Sequence, residues 1–130
     1  MINPSDLTIL YVDDEIPNLQ LFELMFNDDF RVVTALSGQE GLEKLQNEQS
    51  SVVVVVSDMR MPGMNGVEFV KKAKEIFKRE VAYFILTGFG RNPEIEKALK
   101  EHVIHRLFTK PFDRDEVRGA ISDWHTNVRA

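Results

Sequence analysis

Residues 52–66 have the sequence VVVVVSDMRMPGMNG, in which five consecutive valines run directly into Ser57 and Asp58. An apolar run without polar alternation is typical of a strand buried on both faces, as in the centre of a parallel sheet. The Pro-Gly and Asn-Gly pairs that follow predict turns. Asp58 is therefore expected at the carboxyl end of a central strand, where open α/β sheets bind their ligands. Aspartate often ends a strand without a further role. Whether Asp58 belongs to a functional site therefore depends on the residues at the ends of the other strands.

The composition predicts one globular domain over residues 1–130, with 43% hydrophobic and 28% charged residues. The formal net charge of −5 and the lack of a long basic run argue against direct nucleic-acid binding. The chain has no cysteine, which excludes disulfides and thiolate metal sites and fits a cytoplasmic location. No apolar run is long enough to cross a membrane, and the amino end has no signal-peptide pattern.

Short apolar runs alternate with amphipathic segments along the whole chain. Strands are predicted at residues 7–12, 30–35, 81–86 and 103–108, in addition to the valine run. Helices are predicted at about 16–27, 38–47, 66–78 and 93–101, with a fifth beginning near residue 113. This alternation predicts an α/β fold with five helices around a doubly wound, five-stranded parallel sheet of order 2-1-3-4-5.

Polar side chains that suit helix caps precede four of the five predicted helices. Ser37 and Glu40 have the spacing of a capping box, and Asn65 precedes the third helix. Asn92 lies directly before a proline, which favours a helix start, and Asp113 opens the last helix.

Charged and hydroxyl side chains follow four of the predicted strands. Asp13 and Asp14 follow the first, Asp58 the third, Thr87 the fourth and Lys110 the fifth. Because the carboxyl ends of parallel strands share one edge, these groups should converge there. Three adjacent carboxylates repel one another unless a hard cation such as Mg²⁺ binds between them. A lysine beside the cation would attract an anion that also binds the metal, which indicates a phosphoryl group.

The same residues make the chain resemble a response-regulator receiver domain, the phosphoacceptor module of two-component signalling. The matching motifs are Asp13-Asp14, Asp58 with the loop up to Gly66, Thr87-Gly88 and Lys110-Pro111. The resemblance covers about residues 6–128 and implies the flavodoxin-like receiver fold. Each motif is weak alone, but all four occur in order and each stands at a strand end.

The resemblance implies that Asp58 is the nucleophile that takes a phosphoryl group from a partner's phosphohistidine. It also implies that Asp14 and Asp58 ligate Mg²⁺ directly and that Asp13 does so directly or through water. The backbone carbonyl of Arg60 would complete the protein ligands. Lys110 would offset charge on the transferring phosphoryl group. Such a domain catalyses only its own phosphorylation and dephosphorylation and is not otherwise an enzyme.

The implied switch consists of Thr87, Gly88 and the residue three positions before the lysine. Thr87 would donate its hydroxyl to the phosphoryl group, and the Gly88 amide could approach it closely. Relatives often carry Tyr or Phe at the third position, but here it is Leu107, while Phe108 should face the opposite side of the strand. The family also implies a cis peptide before Pro111.

The resemblance further implies a sensor histidine kinase or phosphotransfer protein as donor, and an effector domain or protein as the downstream partner. Output would pass through the surface formed by the fourth helix, the fifth strand and the fifth helix, and a homodimer remains open. The chain is expected to be either a stand-alone receiver or one domain of a longer regulator.

Three other functions on a similar fold remain to be weighed. A flavin-binding electron carrier needs a Ser/Thr/Gly-rich phosphate loop after the first strand, where Asp13-Asp14-Glu15 would repel phosphate. An aspartyl-phosphate hydrolase usually places its nucleophile after the first strand and needs a cap. A receiver-like scaffold that is never phosphorylated is disfavoured by the intact acidic, threonine and lysine positions.

Overall fold

The computed structural model describes residues 7–47 and 51–129, in which strands and helices alternate. The strands are β1 (Thr8–Val12), β2 (Arg31–Ala35), β3 (Val52–Asp58), β4 (Ala82–Thr87) and β5 (Arg106–Thr109). The helices are α1 (Ile16–Phe26), α2 (Gly38–Asn47), α3 (Gly66–Ile76), α4 (Pro93–Lys100) and α5 (Arg114–Arg129). The predicted domain of residues 1–130 thus extends slightly beyond the described part. Within that part, no helix combines the length and apolar character that a membrane span requires.

All five strands are parallel and form one sheet in the order β2-β1-β3-β4-β5, which confirms the predicted doubly wound topology. The order reverses between β1 and β3, so the crevice at their carboxyl ends is the switch point at which such sheets bind ligands. The register between β1 and β3 shifts by one residue near Thr8, because Thr8 pairs with Val52 and Ile9 with Val54. Val53 is consequently the one partly exposed valine of the run, and the other four are buried.

The sheet is covered on both faces, which explains why its central strands lack polar alternation. On one face, α2, α3 and α4 contribute Leu45, Phe69 and Ile95 to a core with Leu10 and Val55. On the other face α1 and α5 pack a second core, which includes Phe22, Tyr11, Val54, Phe84 and Ile121. Successive strand residues alternate between the two cores, as the period of a β-strand requires, except at the register shift, where Val53 and Val54 both belong to the second core.

Polar side chains cap the first turns of the helices that follow the carboxyl ends of the strands. Asn65 accepts a hydrogen bond from the Glu68 amide, and Glu68 accepts one from the Asn65 amide, which forms a complete capping box. Asn92 accepts from the Ile95 amide, and Asp113 accepts from the Asp115 and Glu116 amides. The Glu40 amide donates to the Ser37 hydroxyl oxygen at 3.1 Å, so the side-chain acceptors of all four predicted caps are confirmed.

The prediction for the fifth strand was wrong at its beginning, because β5 starts at Arg106 and not at residue 103. The amides of Val103 and Ile104 donate to the carbonyl of Ala98, so this stretch turns back onto the end of α4. His102 adopts a positive φ of 59°, typical of a residue that ends a helix. The Lys74 ammonium donates to the carbonyls of His102 and Val103 at 2.9 Å each. These carbonyls are thus occupied by α3 and not by a neighbouring strand.

Candidate functional site

Three carboxylates meet at the switch point between β1 and β3. One oxygen from each of Asp13, Asp14 and Asp58 lies within 4.8 Å of the others, and this is the only such group that could hold a metal among the described residues. Asp13 is buried, Asp58 is partly buried and Asp14 is exposed. The valine strand positions Asp58 as its last residue, and the Asp13 amide donates to Ala35 at the end of β2. All three carboxylates therefore follow or end strands of the sheet, and none of them lies on a helix.

Lys110 joins this acidic cluster from the loop after β5. Its Nζ lies 3.2 Å from an Asp58 oxygen and 3.3 Å from an Asp13 oxygen. The Lys110 amide donates to the Thr87 carbonyl, which fixes the loop against the end of β4. The Lys110–Pro111 peptide bond is cis, as predicted. One cation thus faces three carboxylates, and the cluster keeps a negative excess.

Burial and neighbouring charges shift the pKa values of two groups in this site, Asp58 and Lys110. Burial raises the pKa of the Asp58 carboxyl, Lys110 opposes that shift, Asp13 adds to it, and the net direction is upward. Burial alone would lower the pKa of Lys110, but the charges of Asp58 and Asp13 outweigh it and raise that pKa overall. Lys110 therefore keeps its positive charge, while Asp58 binds a proton more readily than an ordinary aspartate.

An open cleft of about 280 Å³ lies above the carboxylates, and its walls include Asp58, Lys110, Gly88, Arg60 and Phe89. The Arg60 guanidinium stacks over the Phe89 ring at 3.9 Å from its centroid. Both side chains are exposed, and Phe89 is 69% exposed. A cation–π pair thus bridges the loops after β3 and β4 directly beside Asp58.

The remaining predicted switch residues lie around this cleft. The Thr87 side chain is buried at the end of β4, and its hydroxyl oxygen accepts a hydrogen bond from the Phe89 amide at 3.2 Å. Leu107 is partly buried and packs on the core beneath α4, whereas Phe108 belongs to the core on the opposite face. The prediction that these two neighbours face opposite sides of β5 is confirmed.

Gly66 allows the loop after Asp58 to pass close to the sheet. Its amide donates to the Met59 carbonyl, and a Cβ atom at this position would lie 2.5 Å from the Asp58 carbonyl oxygen. A side chain here would push β3 and α3 apart. The tight return of the chain keeps the Asp58 carboxylate at the edge of the sheet.

Comparison with known proteins agrees with this geometry. The family model of the response regulator receiver domain matches residues 9–122. The chain belongs to this family. The resemblance inferred from the sequence motifs is thereby confirmed, and the protein is a receiver domain of two-component response regulators.

Individual relatives differ in how much of their own length this chain covers. Sporulation initiation phosphotransferase F of Bacillus subtilis is 32% identical over 117 residues, which cover 89% of this chain and 91% of that protein. The transcriptional regulatory protein GlrR of Escherichia coli is 36% identical over 116 residues, or 88% of this chain. The chain spans only 25% of GlrR and 23% of the hydrogenase transcriptional regulatory protein HoxA of Cupriavidus necator.

Solved receiver structures have the same architecture. A response regulator receiver domain protein from Clostridium thermocellum has a TM-score of 0.83 and 28% identity, covering 95% of this chain and 97% of that one. The Vibrio cholerae chemotaxis protein CheY4 has a TM-score of 0.77 and 29% identity, with coverages of 90% and 97%.

Two side chains that the sequence motifs did not indicate, Tyr11 and Asn18, hold Asp13 in place. The Tyr11 hydroxyl donates to Asp13 at 2.6 Å, and the Asn18 amide group donates to Asp13 at 3.2 Å and to Glu15 at 3.0 Å. Burial, followed by the bond to Asp13, raises the pKa of Tyr11, so its hydroxyl remains a donor. Asp13 directly follows β1 and stands two residues after Tyr11, so the strand period places both side chains on the same side, and that signal was available in the sequence.

Proposed function

We propose that this receiver domain accepts a phosphoryl group on Asp58 in a Mg²⁺-dependent reaction. The observation that carries the proposal is the position of Asp58 at the end of a buried central strand, within 3.2 Å of the Lys110 ammonium and beside two further carboxylates. A carboxylate nucleophile held against a fixed cation suits transfer of a dianionic group.

In the proposed reaction, an oxygen of Asp58 attacks the phosphorus atom of a phosphohistidine on the donor protein. The bond from phosphorus to the imidazole nitrogen breaks as the bond to Asp58 forms, and the imidazole leaves with the electron pair. Lys110 holds a positive charge beside the transferring oxygens. Because the Thr87 hydroxyl oxygen accepts its hydrogen bond from Phe89, its own proton is free to be donated to a phosphoryl oxygen.

The donor set fits a hard divalent cation, because it consists of clustered carboxylate oxygens and only one lysine offsets them. We expect Asp14 and Asp58 to hold Mg²⁺ directly, Asp13 to hold it directly or through water, and the Arg60 carbonyl to complete the set. The bound ion would supply positive charge to the carboxylates and the phosphoryl oxygens. Within this arrangement, Tyr11 and Asn18 orient Asp13 toward the ion.

The proposed partners follow from the same chemistry. A sensor histidine kinase or a phosphotransfer protein supplies the phosphoryl group in the cytoplasm, and an effector domain or protein reads the α4-β5-α5 surface. The domain acts on no other substrate and catalyses only its own phosphorylation and dephosphorylation. The acidic cleft does not favour the phosphate of a flavin, which would be repelled by Asp13, Asp14 and Glu15.

The test is phosphorylation by a small acyl phosphate in the presence of Mg²⁺, followed by intact-mass measurement. The wild type should gain one phosphoryl group, and Asp58→Asn should gain none. Asp123→Asn, a change of the same chemistry at an exposed position of α5, should behave as the wild type. A phosphoryl gain that persists in Asp58→Asn would contradict the assignment of the acceptor.

A further inference from the structure

The hydrogen bonds of Asp13 restrict how this buried carboxylate can face a cation. Its Oδ2 atom accepts three of them, from the Tyr11 hydroxyl at 2.6 Å, the Asn18 side chain at 3.2 Å and the Lys110 ammonium at 3.3 Å. Its Oδ1 atom accepts one, from the Glu15 amide at 3.0 Å. Each oxygen of a carboxylate offers about two lone pairs. Oδ2 is therefore fully occupied, and Oδ1 keeps one lone pair.

The other two carboxylates of the cluster are less restricted. The Oδ1 atom of Asp58 accepts from the Met59 amide at 3.0 Å and from the Lys110 ammonium at 3.2 Å. Within residues 7–47 and 51–129, Asp58 Oδ2 and the exposed carboxylate of Asp14 accept no hydrogen bond. Both residues thus have a free oxygen for a cation, whereas Asp13 has only the remaining lone pair of Oδ1.

The bond from Tyr11 is held in place by packing. Its ring is 1% exposed and stacks on Phe22, with the ring centroids 4.1 Å apart and an interplanar angle of 15°. Lys110, by contrast, has a side chain that is 26% exposed, and its ammonium is shared with a second carboxylate. A divalent cation in the cluster can therefore displace Lys110 from Asp13. Oδ2 would still accept from Tyr11 and Asn18, so both of its lone pairs would stay occupied.

We propose that Tyr11 is a positioning residue that makes the acidic cluster selective for Mg²⁺ over Ca²⁺. Tyr11 acts through Asp13, which it holds so that only one carboxylate oxygen can face the ion. Mg²⁺ requires near-ideal octahedral geometry and keeps several waters, so a single fixed oxygen suits it. Ca²⁺ takes about six to eight oxygens and often binds both oxygens of a carboxylate, which the bond from Tyr11 prevents at Asp13. This inference rests on the proposed function, because it requires the cluster to hold Mg²⁺.

Titration calorimetry of the whole chain with MgCl₂ and with CaCl₂ measures the selectivity as the ratio of the two Kd values. Tyr11→Phe keeps the ring that stacks on Phe22 and removes only the hydroxyl. It should weaken Mg²⁺ binding about tenfold, the lower end of the effects of losing such a supporting bond, because a loosened Asp13 departs from octahedral geometry. Ca²⁺ binding should not weaken, since the freed Oδ2 atom can join its more flexible ligand set. The ratio of the Kd for Ca²⁺ to the Kd for Mg²⁺ should therefore fall by about tenfold.

Tyr83→Phe is the matched control, because it removes the hydroxyl of another buried tyrosine. Tyr83 lies on β4 and is 2% exposed, and its hydroxyl has no hydrogen-bond partner in the part of the chain that the structure describes. This variant should leave both affinities unchanged. Asn18→Ala removes the other lasting donor to Asp13 Oδ2 from a partly exposed position, and should shift the ratio in the same direction as Tyr11→Phe.

The outcomes separate this inference from the proposed function. A wild type that binds no Mg²⁺ would overturn both. If the wild type binds Mg²⁺ and Asp14→Ala abolishes that binding, the metal site stands. Equal changes in the two affinities of Tyr11→Phe, or no change, would then refute the role of Tyr11 alone. A shift in ratio of the same size in Tyr83→Phe would also refute it, because the bond to Asp13 would not be the cause.

Discussion

At the scale of single residues, the ionised carboxylate of Asp58 lowers the free energy of unfolding. Its carboxylate is largely buried beside Asp13, and the pKa of Asp58 is raised because burial outweighs the attraction of Lys110. A carboxyl group with a raised folded-state pKa binds its proton more tightly in the folded than in the unfolded chain. Ionisation of Asp58 therefore lowers the free energy of unfolding as pH rises through this folded-state pKa.

Asp58→Asn should accordingly raise the free energy of unfolding at neutral pH by roughly 1 kcal/mol in the absence of divalent cations. The gain should shrink as the pH falls below the folded-state pKa of Asp58 and should disappear below the pKa of the unfolded chain, where the carboxyl group of the wild type is neutral in both states. Urea unfolding in a chelating buffer at several pH values measures this difference. Asp123→Asn serves as the exposed control. A gain that does not change with pH would show that the charge of Asp58 is not its cause.

At the scale of elements, the beginning of α3 links the loop that follows Asp58 to helix α4. Asn65 forms the capping box with Glu68, and its side-chain amide also donates to Glu94 in the first turn of α4 at 2.9 Å. An aspartate at this position could cap α3 but could not donate to Glu94. Asparagine therefore adds a link between α3 and α4 without loss of the cap.

Asn65→Ala should lower the free energy of unfolding by about 1 kcal/mol, because the amide of Glu68 loses its acceptor. Asn65→Asp should lose less, since it keeps the cap and gives up only an exposed bond, although it places a second carboxylate beside Glu94. Chemical denaturation of the three proteins provides the comparison. Equal losses in the two variants would mean that the link to Glu94, and not the cap, is the stabilising contact.

The switch also belongs to the element scale, because it involves the ends of β4 and β5. Thr87 can give the phosphoryl group a hydroxyl bond, whereas Leu107 can repack beneath α4 but has no polar group to exchange between two states. A bound phosphoryl group shifts the equilibrium only through contacts that differ between the states. We therefore expect the contacts of Thr87 and Lys110 with the phosphoryl group to supply the free energy that shifts the domain to its active state.

Thr87→Ala should strongly reduce the NMR shifts that beryllofluoride, a phosphoryl mimic, causes around α4 and β5, while Leu107→Ala should leave them largely intact. Thr109→Ala is a matched control, because Thr109 pairs with Thr87 in the register of β4 and β5 and is exposed. A response that survives Thr87→Ala and is lost in Leu107→Ala would reverse the proposed coupling.

At the scale of the whole molecule, the alternation of apolar runs and amphipathic segments was sufficient to predict the sheet order. The strand ends alone then indicated which carboxylates and which lysine converge, because parallel topology fixes that edge. The same patterns could not locate the shift in register beside Val53 or the late start of β5. Both depend on tertiary hydrogen bonds, such as those of Lys74 to the carbonyls after α4.

The side chains that support the site, and the unpaired hydroxyl of Tyr83, were also beyond the sequence patterns. The contact of Asn18 with Asp13 requires the first turn of α1 to fold back over β1, and the stacking of Arg60 on Phe89 joins two loops of irregular backbone. The unpaired hydroxyl of Tyr83 is visible only once every neighbour is placed. Periodicity indicates which face a side chain occupies, but not which atom of a distant loop it meets.

Metal binding should stabilise the entire domain, because Asp13, Asp14 and Asp58 approach one another only when β1 and β3 have paired. A ligand that binds the folded state alone raises the free energy of unfolding by about 2.7 kcal/mol at one hundred times its Kd. For a domain of this size, Mg²⁺ at that concentration should raise the Tm by on the order of 10 °C.

Differential scanning calorimetry with MgCl₂, and with NaCl of equal ionic strength, separates this specific effect from screening. Asp14→Ala should lose most of the Mg²⁺-dependent rise in Tm, whereas Asp28→Ala, an exposed aspartate outside the cluster, should keep it. The rise should shrink as the pH falls through the carboxylate range, because the ligands must be deprotonated to bind the ion. If Asp14→Ala responds to Mg²⁺ as the wild type does, the ion is held elsewhere and the three carboxylates do not form its site.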